Sequence, residues 1–478
     1  MVLTSTLRIG LSMFAAIALT TAVYGQSLGQ RISAAYRAFE SNESLANGSA
    51  SLMVINAATG EVVFAKNEQL GMAPASTLKT ITSAAAYYML GDGHTFETTL
   101  LYTGQVDATG TLRGDLIIRG SGDPSLGSDR FPQTADTLLL STWVRAIQQA
   151  GIRKIEGRII ADDRLYNGQT APPGWTWQDM GNYYGAGISG LNWRENAVGV
   201  DFVPGSAPDL PTRIANTTAD IGYLQLVNET TTGNRGTGDR VYAFAAPYSS
   251  RIYLRGTYGA DLRKTIYIAL PDGAYDAAYQ LHRTLERAGI SQTNTPTTTH
   301  LLLLAGSELP SGGTTLHTHH SPPLSELVYW FNQKSINLYG EALLKAMAYR
   351  LAGKTDTRDA SELLRDFWVK KLGVAPGELK IMDGSGLSPE NRITTNVLVR
   401  ILASARKEPW FARFFESLPV YNGMKMKSGT IGGVLGYAGY QTAQDGTPLV
   451  FALLVNNYQG PATPMRQRMF RLLDTLKH

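Results

Sequence analysis

At 478 residues, 43% of them hydrophobic and 17% charged, the chain is long enough for two or three domains around large apolar cores and too apolar for intrinsic disorder. Its net charge of +4 is small and comes without a long basic run, so the electrostatic footprint of a nucleic-acid-binding protein is missing. The sequence has no cysteine, which excludes disulfide staples, thiol catalysis, thiolate metal sites and lipid attachment through an N-terminal cysteine.

Residues 1–25 carry one arginine, an apolar stretch from Ile9 to about Ala22 and small residues before Gln26. They read as a secretory signal, with a membrane anchor as the competing reading; the apolar run is short of the ~20 residues of a spanning helix. Export predicts a periplasmic protein in a bacterial host. "SLGQRISAAYRAFESNE" (27–43) has helical spacing, and "GSASLMVINAATGEVVFAKNE" (48–68) reads as two strands around an Ala-Thr-Gly turn. A helix is expected to open at Pro74 and Ser76 and to run through "STLKTITSAAAYYML" to Gly91. From 98 to 196 the pattern is α+β, and from 197 to 272 strands and turns dominate. "GAYDAAYQLHRTLERAGI" (273–290) returns to helix, and "THLLLLAGSELP" (299–310) reads as extended. From 315 onward helices predominate, until "MKMKSGTIGGVLGYAGYQTAQDGTPLVFALLVNN" (424–457) supplies strands and "PMRQRMFRLLDTLKH" a closing helix. Strands at both ends with helices between predict one sheet completed by both ends of the chain.

Three short patterns carry chemistry. Ser76 and Lys79 stand one helical turn apart; the same spacing at Ser404 and Lys407 reads as a solvated helix end. Ser335-Ile336-Asn337 is a Ser-x-Asn, and Lys427-Ser428-Gly429-Thr430 contains a Lys-Ser-Gly. In this order the trio resembles the signature of penicillin-binding proteins and class A β-lactamases. A serine hydroxyl needs a base beside it. A free lysine is neutral in only roughly one molecule in 2,500 at pH 7, so Lys79 can serve only if burial and a second cation lower its pKa. The resemblance implies Ser76 as nucleophile, Lys79 as base and Ser335 as proton relay. It makes Asn337 the orienting amide, Lys427 the second cation and holder of a substrate carboxylate, and Thr430, next to Ser428 and Gly429, an oxyanion donor through its N–H.

Ser76 and Ser335 are 259 positions apart, far more than a compact β-lactamase needs. The chain thus resembles the D-alanyl-D-alanine carboxypeptidase/endopeptidase (S13) family, in which additional domains interrupt the penicillin-binding domain. "GDLIIRGSGDPSL" (114–126), "PPGWTWQDMGNYYGAGISGLNWREN" (172–196) and "MDGSGLSPENRIT" (382–394) agree with that family. The implied fold is an α/β (α+β) serine β-lactamase/penicillin-binding-like domain, in parts 26–97 and 315–478. An α+β insert would occupy 98–196 and 273–314, with a β-rich domain nested at 197–272. The implied activity is cleavage of peptidoglycan stem peptides through an acyl-enzyme on Ser76, blocked by β-lactams, without cofactor or metal. A β-lactamase or esterase on the same fold is the alternative enzyme, and a non-catalytic wall-binding protein the alternative outside catalysis. Loose membrane association and oligomeric state stay open.

Asp179 matches the family's acidic residue that meets the amine of a diamino-acid side chain; a helix-capping turn aspartate is the competing reading. Asp383 and Ser385 are expected to fix a loop bordering the cleft. Two departures stand out: Ser428 replaces a common threonine but keeps the hydroxyl, and Pro389 stands where some relatives carry a substrate-contacting arginine. "HTHH" (317–320) has no partner carboxylate at ligand spacing and reads as an exposed loop. "GTIGGVLGYAG" lacks the Gly-Lys-Ser/Thr ending of a phosphate loop, and Trp175, Trp177, Tyr183 and Tyr184 read as core.

Overall fold

The computed structural model describes residues 27–166 and 168–478; the stretch 1–25, read as a secretory signal, lies outside the described residues. Both chain ends build one antiparallel sheet, six-stranded among the described residues. Its order is Val62–Lys66, Ser49–Asn56, Pro448–Asn456, Val434–Thr442, Met424–Ile431 and Val420–Tyr421. The seam between the ends runs unbroken from Ser49 opposite Asn456 to Asn56 opposite Leu449. The central strands Ser49–Asn56 and Pro448–Asn456 are buried at successive positions because both faces are covered. Leu52, Val54, Phe451 and Leu453 face the helices Leu28–Glu40 and Ala462–Asp474, with Ile32, Tyr36, Met469 and Leu473. The alternate residues Met53, Ile55, Ala452 and Leu454 face the larger helical layer. With each buried aliphatic side chain contributing about 1.5–3 kcal/mol, this two-sided burial holds together segments nearly 400 residues apart in sequence.

The helix Lys79–Leu90 lies inside that helical layer. It is apolar nearly all round, with Ile81, Ala84, Ala85, Ala86 and Leu90 buried, as a helix enclosed on every side must be. It stops at Gly91, φ 83, whose N–H bonds the Tyr87 carbonyl. The helix expected to open at Ser76 begins instead at Lys79; Ala75–Leu78 is a 3-10 turn, entered through Ala75 at φ 44. Around it pack the helices Leu324–Lys334, Asn337–Ala352, Thr357–Leu372 and Thr395–Ala405.

The middle of the chain forms further sheets. Thr297–Thr298, Ile159–Asp162, Leu116–Arg119, Glu97–Tyr102 and Thr314–His320 make one, and Ser291–Gln292, Lys154–Ile155, Thr111–Arg113 and Gln105–Val106 another. Helices Asp136–Gln149 and Gly273–Arg287 cover them with Leu139, Trp143, Ala277 and Leu281. Strands between Ala197 and Ala269 build two smaller sheets around Val198, Val200, Ile252, Leu254 and Ile268.

Two further expectations change. "THLLLLAGSELP" opens as a helix, Thr299–Leu304, because the Thr298 hydroxyl caps the Leu301 N–H; Leu302 is buried while Leu303 and Leu304 face outward. The histidines of "HTHH" sit on the strand Thr314–His320, paired with Glu97–Tyr102, rather than on a loop. Among the described residues no helix is long and apolar enough to cross a membrane.

Candidate active site

Three elements meet at Ser76: its own turn, the Met424–Ile431 strand and the 382–391 loop. The turn bearing Ser76 is squeezed between two backbones. A Cβ added to Gly429 would lie 2.6 Å from the Pro74 carbonyl and 3.0 Å from the Ser76 nitrogen, and one added to Gly386 would collide with the Ala75 carbonyl. Glycine at both places lets the Met424–Ile431 strand and the 382–391 loop close on the turn.

Lys79 is wholly buried. Its Nζ donates to Ser76 Oγ at 2.8 Å, Asn337 Oδ1 at 2.6 Å and the Ser385 carbonyl at 2.7 Å, which uses all three donors of an ammonium. The Phe331 ring lies 5.7 Å away. Burial, and after it the charge of Lys427, hold the Lys79 amine well below lysine's usual range, against the opposing pull of Asp383 and Glu341. Lys427 is itself 1% exposed, and burial brings it down to about 7. Its Nζ donates to Ser335 Oγ at 3.1 Å and to the Ser428 carbonyl at 2.9 Å.

Ser335 and Asn337 sit at an elbow. Leu324–Lys334 ends at Ser335, in the left-handed region at φ 57, and Asn337 opens the next helix. A non-glycine residue in that region is uncommon, and here it turns Ser335 Oγ toward Lys427. Asn337 is fixed at both ends of its amide, accepting from Lys79 and donating through Nδ2 to the Tyr184 carbonyl at 2.7 Å. Along the third motif, pleating alternates Lys427 and Gly429 with Ser428 and Thr430; Thr430 is exposed and its Oγ1 accepts from Arg466 at 3.3 Å.

The 382–391 loop is organised by Asp383, which is fully buried. Its carboxylate accepts from Trp175 Nε1 at 2.9 Å, Gly386 N–H at 2.8 Å, Ser388 N–H at 2.6 Å and Asn391 Nδ2 at 3.0 Å. Asp383 thus does what the sequence suggests, whereas Ser385 acts through its backbone carbonyl, aimed at Lys79. Pro389 gives its carbonyl to Arg392. Glu341, which the sequence reading passed over, accepts from the Gly384 N–H at 2.9 Å. Burial, then the neighbouring Asp383, push its carboxyl up to about 8. Its position one helical turn beyond Asn337 is the signal that would have found it.

Asp179 is half-buried in the short helix Trp177–Met180, accepting from Thr176 Oγ1 at 2.7 Å and meeting the phenol of Tyr184. Since the Tyr184 carbonyl binds Asn337, Asp179 stands two residues removed from Lys79. The expectation that the nearby aromatics are core fails for Trp177 and Tyr183, which are 52% and 60% exposed, while Trp175 is buried. Trp177 lies beside Phe244, 6.3 Å between ring centroids, and Tyr183 beside Tyr184 at 5.5 Å. Among the described residues no cluster of three histidine or acidic side chains could hold a metal ion.

This geometry has known relatives. The family model described as "D-Ala-D-Ala carboxypeptidase 3 (S13) family" matches residues 36–476. The D-alanyl-D-alanine carboxypeptidase of Actinomadura sp. (strain R39) is 27% identical over 447 residues, covering 86% of this chain and 78% of the relative. The D-alanyl-D-alanine carboxypeptidase DacB of Haemophilus influenzae is 23% identical over 426 residues, covering 83% of each chain. The crystal structure of penicillin binding protein 4 (dacB) from Haemophilus influenzae superposes with a TM-score of 0.78 at 22% identity, over 94% of this chain and 99% of that one. A structure of that protein complexed with a novel β-lactam gives a TM-score of 0.72 at 21% identity over 94% and 100%. A family match spanning all three motifs and the segments between them, joined to the shared fold, makes this chain a member of the D-Ala-D-Ala carboxypeptidase (S13) family.

Proposed function

We propose that the chain is a periplasmic serine D-Ala-D-Ala carboxypeptidase that also cleaves peptide cross-links, acting on peptidoglycan stem peptides and inhibited by β-lactams. One observation carries the reading: a buried amine, held below its usual pKa with a second buried lysine beside it, lies 2.8 Å from the Ser76 hydroxyl. In its neutral form Lys79 keeps two N–H for Asn337 and the Ser385 carbonyl, turns its lone pair to the Ser76 hydroxyl and takes the proton as Ser76 Oγ attacks the carbonyl carbon of the penultimate D-alanine. The oxyanion is met by backbone N–H groups of Ser76 and Thr430, brought together because Gly429 lets the strand reach the turn. The C–N bond then breaks, and the proton passes through Ser335 to the departing amine, which belongs to D-alanine or to a cross-linking diamino acid. Water adds to the ester, Lys79 accepts its proton, and Ser76 is released with a peptide carboxylate. Lys427, its Nζ already on the Ser428 carbonyl, holds the terminal carboxylate of the substrate. Asp179 faces the amine of the diamino-acid side chain.

The test is covalent labelling of Ser76 by a fluorescent penicillin, with the products from a defined cross-linked muropeptide weighed by mass spectrometry. A long-lived adduct that disappears in Ser76→Ala, together with release of D-alanine and of uncrosslinked peptide, is expected. An adduct shed within a turnover would point to a β-lactamase, and peptide cleavage surviving in Ser76→Ala would overturn the assignment.

A further inference from the structure

The elbow that carries Ser335 and Asn337 is gripped from outside by one ion pair of the inserted region. Arg130 Nε and Nη2 donate to the two carboxylate oxygens of Glu195 at 2.6 and 3.1 Å, the two-pronged geometry that fixes both groups in one plane. The guanidinium lies over the Trp330 ring, 5.5 Å from its centroid, on the helix that ends at Ser335. Glu195 Oε1 accepts from the phenol of Tyr339 at 3.0 Å, on the helix that begins at Asn337, and from Ser128 Oγ at 2.9 Å. One pair thus touches both arms, a little over a turn before Ser335 and two residues beyond Asn337.

The segment presenting Glu195 is strained. Arg194, Glu195 and Asn196 lie in the left-handed region at φ 52, 57 and 49, three successive non-glycine residues where L side chains are disfavoured. Their surroundings hold them there. The Arg194 N–H bonds the Leu126 carbonyl at 2.8 Å, the Asn196 carbonyl takes the Leu270 N–H at 2.8 Å, and Asn196 Oδ1 takes the Trp193 N–H at 2.9 Å. The Arg194 guanidinium pairs with the buried Asp276. This run turns Glu195 outward from the insert onto Tyr339. Burial, and then the Glu195 carboxylate, keep the Tyr339 phenol well above its usual range, so it stays a donor at any working pH.

We propose that Arg130 and Glu195 are positioning residues of the reaction, a clamp through which the inserted region holds the two helices at the angle that keeps Ser335 on Lys427 and Asn337 on Lys79. The proposal rests on the peptidase reading of Ser76. It gives the insert a part in acyl transfer itself, separate from contacts with substrate. The contacts at stake are short: 2.6 Å from Lys79 to Asn337 and 3.1 Å from Lys427 to Ser335. Play at the elbow lengthens both.

Tyr339→Phe removes one hydroxyl, and Glu195→Gln keeps an acceptor for it while dissolving the ion pair; neither touches substrate. Both variants are expected to slow acylation of Ser76 by penicillin, and kcat on peptide, by roughly ten- to a hundredfold, as displaced catalytic groups do. KM should stay at its wild-type value, and rates are taken per folded molecule, because losing a partly buried ion pair lowers the thermal midpoint of Glu195→Gln on either reading. A support of stability alone would spare the rate of the folded fraction, and variants that acylate at the wild-type rate per folded molecule overturn the clamp. A wild-type chain that forms no penicillin adduct overturns the peptidase reading and takes the clamp with it.

Discussion

Around Ser76, burial is what gives ordinary residue types unusual chemistry. Lys79, Lys427, Lys345, Asp383 and Glu341 are all at most 1% exposed, an expensive concentration of ionisable groups that is tolerated because each has partners in hydrogen-bond reach. Glu341 offers the cleanest test of that balance. The groups facing it are Lys79 from the Ser76 helix, Asp383 from the loop and Lys345 one turn along its own helix. Its carboxyl goes from 4.5 in the unfolded chain to about 8 in the fold. Between those values the native state holds the extra proton, so the stability Glu341 contributes is full below 4.5 and is lost as pH rises through about 8. Glu341→Gln cannot titrate. Urea denaturation at a series of pH values should show the variant gaining on wild type steadily from about 4.5 and levelling off above about 8. A difference independent of pH would mean that Glu341 is ionised throughout.

At the scale of elements, the site is a place where backbones touch. The strand carrying Lys427 approaches the Ser76 turn so closely that Gly429→Ala would place a methyl group 2.9 Å from the Thr77 nitrogen and 3.0 Å from that of Ser76. Strand and turn must then part by a few tenths of an ångström, carrying the oxyanion donors off target. Penicillin acylation of that variant is expected to fall by roughly a hundredfold, measured by stopped-flow fluorescence, with the cooperative melt retained. An unchanged rate would show that the strand does not set the oxyanion site. The three motifs were legible in the sequence because each combines chemistry-bearing residue types at fixed short spacing. The Ser76 helix starts three residues later than its apolar pattern predicts, since a 3-10 turn and an α-turn share that pattern and the chain enters the turn through Ala75 at φ 44. "THLLLL" was misread because a short apolar run fits either element, and the Thr298 cap decided it. Glu195 could not be found at all: nothing in "NWREN" announces three left-handed residues.

Taken whole, the molecule closes one sheet from its two ends, packs a helical layer on it, and folds the remaining chain into further sheets, from which residues 175–184 return as a wall beside the site, Trp175 on Asp383 and the Tyr184 carbonyl on Asn337. The two-ended sheet was readable from strands placed early and late. Which face of "GWTWQDMGNYYG" looks into solvent was not, because that depends on where the insert docks. Trp175 goes inward to Asp383, while Trp177 and Tyr183 stay exposed and Asp179 lies between them. If that wall selects substrates by charge, Asp179→Asn should lower kcat/KM by roughly tenfold, about 1.4 kcal/mol for a hydrogen bond to a charged group, on a stem peptide whose diamino acid carries a free side-chain amine. On the same peptide with that amine acetylated, wild type and variant should be equal, and penicillin, which lacks the amine, should acylate both alike. The acetylated peptide separates the two readings of this residue. An equal loss on both peptides would mean that Asp179 only braces the turn through Thr176 and Tyr184, whose carbonyl steadies Asn337, and that recognition of the amine lies elsewhere.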